Sequence, residues 1–221
     1  MMTPVLIEAC VDSLAGALAA QEGGAGRIEL CASLEVGGLT PAPDLVAECA
    51  SRLSIPVFVL VRPAPGSFVL SPAGLTELLG QIRAVGDSGA AGIVAGAIAA
   101  SGNVDVKAVE AIVAAAHPLP VTFHRAFDEL EHQWSALDTL VGLGVARVLT
   151  AGAAPTAEEG AVRIKQLVGQ SAGRIGIVAG GTVRAHNVPA LVRVTGVTEV
   201  HSRTPVDPEG VRALVAAANA A

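Results

Sequence analysis

One short sequence phrase recurs along the chain and constrains its fold more than any other feature. The phrase is a glycine, a small or β-branched residue, two further residues, and then isoleucine or valine. It begins at Gly24, Gly89, Gly144 and Gly196, each time after helix-forming residues and before a β-branched run. Glycine readily adopts the left-handed conformation that ends a helix. The phrase therefore predicts four junctions at which a helix ends and a buried strand begins.

Four further segments have the composition of strands. Two open with Pro-Val at 56–57 and 120–121, and proline is tolerated at the first residue of a strand. The other two are VLIEACVD at 5–12 and RIGIVAGG at 174–181. Helical stretches alternate with all eight strands, at roughly 13–22, 41–52, 72–88, 105–116, 131–142, 156–170, 184–194 and 207–219.

This alternation predicts an α/β protein, a single (β/α)8 TIM-barrel domain over residues 1–221. No linker or break in composition divides the chain. The alternative is an open, doubly wound sheet, which would more often carry a glycine-rich dinucleotide fingerprint after its first strand. Here that strand ends in Cys-Val-Asp-Ser, so the barrel is favoured and no nucleotide cofactor is expected.

Charge and cysteine usage restrict the partners. The net charge is −6 with only 14 basic residues, which argues against a nucleic-acid partner and gives no attraction to anionic lipid. No stretch of about 18 uncharged apolar residues would form a membrane span. The 3 cysteines show no CxxC spacing, which is typical of free thiols in a reducing compartment. We expect a soluble cytoplasmic protein that binds neither nucleic acid nor membrane.

Several polar strand residues share one face of the predicted barrel. Strand side chains alternate between faces, and one face fills the barrel interior. Late positions on that inward face lie at the C-terminal mouth, where barrel enzymes place their chemistry. The candidates for a ligand-facing or catalytic role are Glu8, Glu29, Arg62, His124 and His201. The alternative is buried ion pairing at the bottom of the barrel, which suits Arg27, Arg147 and Glu199 better because they come early in their strands.

The stretch VTFHRAFD concentrates chemistry in a chain with few charged residues. His124 points into the mouth, whereas Arg125 and Asp128 belong to its rim. His124 and Glu29 form a candidate acid–base pair, if burial tunes their proton affinities. Arg62 and Arg125 are candidates for holding a small anionic substrate.

Two cysteines form a candidate metal site. Cys10 and Cys31 come late on neighbouring strands and in the same inward phase. Adjacent parallel strands lie about 4.8 Å apart, so two thiols at similar height would bind Cu(I), which favours soft sulfur. The alternative is that each cysteine is a small buried hydrophobe. Cys49 lies in an amphipathic helix and is expected to serve packing only.

The seventh strand ends in Gly180 and Gly181, and Arg203 comes just after the eighth. Barrels often bind phosphate at these loops, through backbone N–H groups at a helix N-terminus. The alternative is a tight turn that needs small residues. No G-x-S-x-G, P-loop or strand-borne lysine is present, which argues against serine hydrolase, nucleoside-triphosphate and class I aldolase chemistry.

Long stretches of the sequence resemble one family. IEACVDSLAGALAAQEGGAGRIELCASLEVGGLTP, VFVLVRP, VTFHRAFD, RVLTAG and TEVHS, in this order, are similar to the copper homeostasis (CutC) family. The resemblance runs from Val5 to about His201. It implies a cytoplasmic TIM barrel that is a homodimer or larger and has a role in copper homeostasis. An enzymatic activity has long been suspected in the family, without an agreed substrate.

Three loops depart from the family pattern, at 64–67, 151–153 and 202–204. The first has Ala-Pro-Gly-Ser where the family resembles RGGD, and so lacks an arginine and an aspartate. Two functions therefore stay open. The first is a cytoplasmic copper homeostasis protein that binds Cu(I) at Cys10 and Cys31. The second is a lyase, isomerase or hydrolase that acts on a small anionic molecule at the mouth.

Overall fold

The structure, a computed structural model, describes residues 4–203 and 207–220. Eight parallel strands close into a barrel in chain order, each paired with the strands before and after it. The strands are β1 (Leu6–Val11), β2 (Arg27–Leu30), β3 (Val57–Leu60), β4 (Gly92–Ala95), β5 (Val121–Phe123), β6 (Arg147–Thr150), β7 (Gly176–Ala179) and β8 (Glu199–Ser202). The predicted TIM barrel is confirmed.

A helix follows every strand. The helices are α1 (Leu14–Glu22), α2 (Pro43–Arg52), α3 (Pro72–Asp87), α4 (Val106–Ala116), α5 (Gln133–Gly142), α6 (Ala161–Ser171), α7 (Val188–Thr195) and α8 (Pro208–Asn219). Two short 3-10 turns, Leu34–Val36 and Arg125–Glu129, lie in the loops after β2 and β5. Within the described residues, no helix has the length and apolar character needed to cross a membrane.

The four repeated glycines end helices as the phrase predicts. Gly24, Gly89, Gly144 and Gly196 all have positive φ, between 72° and 90°. This left-handed conformation is strained for residues with a Cβ atom. Each glycine therefore turns the chain from the end of a helix into the next strand.

Two helices begin later than the sequence predicts. Residues 156–160 form turns, so α6 begins at Ala161. The Asn187 side chain accepts from the Arg184 backbone N–H and donates to the Thr182 carbonyl, and α7 begins only at Val188. Proline in the first turn of α7 fits this start, because proline lacks the N–H that a later helical position needs.

Most of the hydrophobic core lies between the strands and the helices, and a smaller cluster fills the barrel. The inner cluster comprises Cys10, Cys31, Phe58, Leu60 and Val94. Gly92 of β4 makes room for the aromatic ring of this cluster, since a Cβ atom there would lie 2.6 Å from Phe58. The inward phase predicted for β1, β2 and β3 agrees with these residues.

Buried ion pairs fill the bottom of the barrel. Arg27 Nε pairs with the Glu8 carboxylate, and Arg27 Nη2 lies 2.6 Å from the Glu199 carboxylate. Arg147 Nε lies 3.2 Å from the same Glu199 carboxylate. Both guanidinium groups also lie over the Phe58 ring, at 4.9 and 5.2 Å from its centroid. Arg27, Arg147 and Glu199 thus have the structural role that their early strand positions indicate.

Candidate functional site

An open cavity of about 190 Å³ lies at the C-terminal mouth of the barrel. Eight of the twelve predicted site residues line it: Cys10, Glu29, Cys31, Arg62, His124, Arg125, His201 and Arg203. The four others, Glu8, Asp128, Gly180 and Gly181, do not. Cys10 comes from β1, Glu29 from β2, and Cys31 directly follows β2. His201 comes from β8, and the three arginines come from the loops above the strands.

The two predicted metal-binding thiols are in contact. Cys10 Sγ and Cys31 Sγ lie 3.7 Å apart, and both residues are buried. In the β1–β2 register Cys10 is opposite Glu29, so Cys31 lies two residues further along its strand. The thiols meet because their side chains lean toward each other across this offset.

The offset disfavours a disulfide between them. Two residues of stagger on neighbouring parallel strands separate the Cα atoms by roughly 8 Å. A disulfide normally requires less than about 7 Å. The two sulfurs therefore approach closely without being placed for a covalent bond.

The thiol pair shares its protons unequally. The hydrogen bond from Cys31 outweighs burial and lowers the pKa of Cys10 to about 7. The same hydrogen bond, together with burial and the nearby Glu29 carboxylate, raises the pKa of Cys31 well above its ordinary value. Near pH 7 the Cys10 thiol is therefore about half ionised, and its thiolate form accepts a hydrogen bond from the Cys31 thiol.

His201 lies between two carboxylates next to the thiols. Its Nδ1 is 2.9 Å from Glu8 Oε1 and 3.0 Å from Glu29 Oε2. The second contact lies off the hydrogen-bond direction, which leaves Glu29 Oε2 buried without a hydrogen-bond partner among the described residues. Burial would lower the pKa of His201, but the Glu29 charge, the neighbouring Cys10 sulfur and the hydrogen bond with Glu8 raise it well above its ordinary value. His201 is therefore an imidazolium at neutral pH.

His124 and Glu29 both line the cavity but do not contact each other among the described residues, so their role as an acid–base pair stays a prediction. His201 lies within ion-pair distance of Glu29 instead. His124 Nδ1 accepts from the Ala126 backbone N–H, and its ring packs 4.7 Å from the Phe68 ring. Burial and the Arg62 charge lower the pKa of His124 to about 4. His124 is therefore neutral at pH 7, and its proton is on Nε2.

Glu8 was expected in the mouth but lies below it. The residue is fully buried and joins the ion pairs at the bottom of the barrel to His201. Burial would raise its pKa, but the His201 hydrogen bond and the charges of Arg27 and His201 lower it to about 2. Its contacts give Glu8 a structural role.

Two arginines of the mouth have no carboxylate partner among the described residues. Arg62 donates to the carbonyl oxygens of Val36, Gly38 and Gly66, and its Nε is buried without a partner. Arg203 donates to the Leu34 carbonyl oxygen. Because carbonyl groups carry no net charge, both guanidinium groups bring an uncompensated positive charge to the cavity.

The rim residues Arg125 and Asp128 pair with each other, at 2.8 Å. Asp128 also accepts from the Thr150 hydroxyl and from the backbone N–H groups of Ala151 and Ala153. Asp128 is thus committed to holding the loop after β6, and only Arg125 reaches the cavity. Asp128 therefore lies outside the cavity lining, and a catalytic role for it stays a prediction.

The expected anion site at Gly180 and Gly181 does not form as predicted. Because α7 begins at Val188, these glycines do not lie at a helix N-terminus. The Gly180 N–H donates to the Thr150 carbonyl oxygen. Of this predicted group only Arg203 lines the cavity. The divergent loop 202–204 ends at Thr204, which lies outside the described residues.

Phe68 is a site residue that the sequence analysis missed. Its ring lies 4.9 Å from the Arg62 guanidinium carbon and next to His124. The sequence did offer a signal for it, because Phe68 is one of only 4 phenylalanines and lies in the same loop as Arg62.

Comparison with known proteins identifies the same relatives by sequence and by structure. Residues 5–205 match the CutC family model. The chain is 43% identical over 196 residues to the mouse copper homeostasis protein cutC homolog. The aligned part covers 89% of this chain and 72% of the mouse protein. It is 42% identical over 195 residues to a CutC family protein of Pasteurella multocida, covering 88% and 80%.

Two solved structures illustrate the fold. The structure of CutC from Streptococcus agalactiae superposes with a TM-score of 0.85 at 32% identity, over 89% of this chain and 97% of that chain. Phosphoribosylanthranilate isomerase from Pyrococcus furiosus superposes with a TM-score of 0.65 at 16% identity, over 98% and 100%. The second likeness concerns the barrel fold alone.

Proposed function

This chain belongs to the CutC copper homeostasis family, and on that premise we propose that it binds one Cu(I) ion between Cys10 and Cys31. The observation that carries the proposal is the 3.7 Å separation of the two sulfur atoms at the floor of the mouth. Sulfur atoms each about 2.3 Å from one metal ion can be at most about 4.6 Å apart. The observed separation is therefore within reach of a single ion.

The donor set suits a soft ion. Thiolates favour Cu(I), whereas a harder ion would require several oxygen or nitrogen ligands. At neutral pH one sulfur of the pair is already about half ionised to the thiolate, which is the form that binds metal. Glu29 Oε1 lies 3.5 Å from Cys31 Sγ and offers a third donor.

The contacts favour copper binding over the enzymatic alternative. That alternative assigned proton transfer to His124 and Glu29, which do not pair. His124 is a neutral ring that accepts from the Ala126 N–H, and Glu29 contacts His201 and Cys31. The groups that do act together are the two sulfurs and the charges next to them.

The proposal extends to location and assembly. We infer from family membership that the protein works in the cytoplasm, as a homodimer or larger assembly. Light scattering coupled to size-exclusion chromatography measures the assembly directly, and a monomer at micromolar concentration would contradict that part.

Anaerobic competition for Cu(I) against a chromophoric chelator tests the binding site. We expect about one ion per chain, with affinity falling by at least tenfold in Cys10→Ser and in Cys31→Ser, because each removes one soft ligand. Cys49→Ser is the matched control, since Cys49 is buried in α2 away from the mouth. Unchanged affinity in both site variants would place copper elsewhere.

A further inference from the structure

Cys10 and Cys31 form the floor of the cavity, and the copper proposal does not explain the residues of its wall, which include Arg62, His124 and Arg203. Arg62 and Arg203 approach the same cavity from different loops. Glu29 Oε2 lies 3.0 Å from His201 Nδ1, and Arg125 pairs with Asp128. Arg62 and Arg203 have no carboxylate partner among the described residues, so they bring two positive charges to a protein whose net charge is −6. Two deprotonated cysteines that hold one Cu(I) ion carry a net charge of −1, which offsets only one of the two positive charges, so the cavity can receive one further anionic group.

Polar donors next to these charges are also unused. Arg62 Nε is buried and has no hydrogen-bond partner among the described residues. His124 carries its proton on Nε2, since its Nδ1 accepts from Ala126, and this donor is accessible from the cavity that His124 lines. Unpartnered buried donors are costly unless a ligand or water satisfies them. The wall therefore offers positive charge and free donors to a ligand with an anionic, hydrogen-bond-accepting group.

The chemistry of the wall and of the floor fits a single ligand that brings both a Cu(I) ion and an anionic group. Cu(I) prefers soft sulfur, so small thiols carry it in solution. A guanidinium group matches a carboxylate in shape and charge. The cavity, at about 190 Å³, is below the range of about 300–1,000 Å³ that is typical of sites for drug-sized ligands. A carrier of amino-acid size is compatible with that volume.

We propose that the mouth receives Cu(I) as an anionic complex with a small thiol that bears a carboxylate. Arg62 and Arg203 hold the carboxylate while Cys10 and Cys31 take the ion, so the inference rests on the proposed copper function. In the exchange, copper–sulfur bonds to the carrier break and copper–sulfur bonds to the two cysteines form. Protons released by the protein thiols pass to the departing carrier thiolates, and copper stays Cu(I) throughout.

The test compares two carriers that differ only in the carboxylate. Anaerobic Cu(I) complexes of N-acetylcysteine and of N-acetylcysteine amide are offered to the apo-protein at low ionic strength. The initial rate of transfer gives a ratio, carboxylate carrier over amide carrier. The net charge of −6 repels the more anionic carboxylate complex, so attraction to the carboxylate must come from groups at the mouth.

We expect Arg203→Gln to lower this ratio about tenfold, the effect of one charge-assisted hydrogen bond. Arg62→Gln should do the same. Arg203→Gln is the cleaner variant because Arg203 gives up one bond to a carbonyl, whereas Arg62 holds three. Arg52→Gln is the control, since Arg52 pairs with Glu48 on exposed α2 and should leave the ratio unchanged. Circular dichroism checks that each variant is folded.

Two failures are distinguishable. If Cys10→Ser and Cys31→Ser abolish transfer from both carriers while Arg203→Gln keeps the wild-type ratio, the inference is overturned and the copper site stands. If the cysteine variants accept copper as fast as wild type from both carriers, the copper site itself is wrong and the inference falls with it. A lowered ratio in Arg203→Gln, together with loss of transfer in the cysteine variants, supports both.

Discussion

Replacing Glu8 with glutamine should destabilise the fold, because Glu8 links the buried ion pairs to His201. Glu8→Gln keeps the size of the side chain and removes its charge. Among the described residues, Arg27 then keeps Glu199 as its carboxylate partner, and His201 keeps Glu29. Removing one partner from a buried ion pair typically costs about 3–5 kcal/mol.

The pKa of Glu8 gives a second value for the same loss. The ordinary pKa of 4.5 falls to about 2 in the folded protein. A carboxyl with a lowered folded pKa stabilises the fold above its unfolded pKa, and this stability is lost as pH falls through the folded value. A shift of this size corresponds to about 3 kcal/mol at neutral pH, which agrees with the cost of breaking a buried pair. The difference between wild type and Glu8→Gln should fall to roughly half near pH 3 and vanish below about pH 2.

Urea unfolding of wild type and Glu8→Gln at a series of pH values measures this difference. Glu48→Gln is the matched control, because Glu48 pairs with Arg52 at 3.8 Å on the surface and is half exposed. That variant should change the free energy of unfolding by less than about 1 kcal/mol. A Glu8→Gln loss no larger than that of the control, or one that does not shrink in acid, would refute the structural role of Glu8.

The mouth gives two more predictions. His124→Ala should cost about 1–2 kcal/mol in urea unfolding, because it removes the acceptor for the Ala126 N–H. Phe123→Ala should cost about 3–5 kcal/mol, since its ring is fully buried, and equal losses would show His124 to be mainly a core residue. Ultraviolet absorbance of thiolate should show Cys10 ionising near pH 7. This midpoint should rise in Cys31→Ala, which lacks the hydrogen bond, and an unmoved midpoint would contradict the shared thiolate.

The barrel could be predicted from the sequence because its determinants are local. The repeated glycines fix where helices end, and β-branched runs fix where strands begin, so each junction is specified within about ten residues. Alternation along β1, β2 and β3 also fixed which residues face inward. The late starts of α6 and α7 depend on turn contacts such as those of Asn187, which periodicity does not report.

The site was only partly predictable, because alternation gives the face of a strand and not the height of a residue in the barrel. Glu8 and His124 share the inward phase, but Glu8 lies among the buried ion pairs and His124 lies in the mouth. The partner of Glu29 is His201, which is 172 residues away in sequence and is brought close by closure of β8 onto β1. Asp128 is bound by loop amides whose positions no strand pattern specifies.

The most direct measurement of the central claim is X-ray absorption at the copper edge, on wild-type protein loaded anaerobically with one equivalent of Cu(I). We expect two sulfur ligands per copper in wild-type protein, and one in Cys31→Ser. A copper shell made only of nitrogen and oxygen ligands in wild-type protein would contradict the assignment of Cys10 and Cys31 as the copper site.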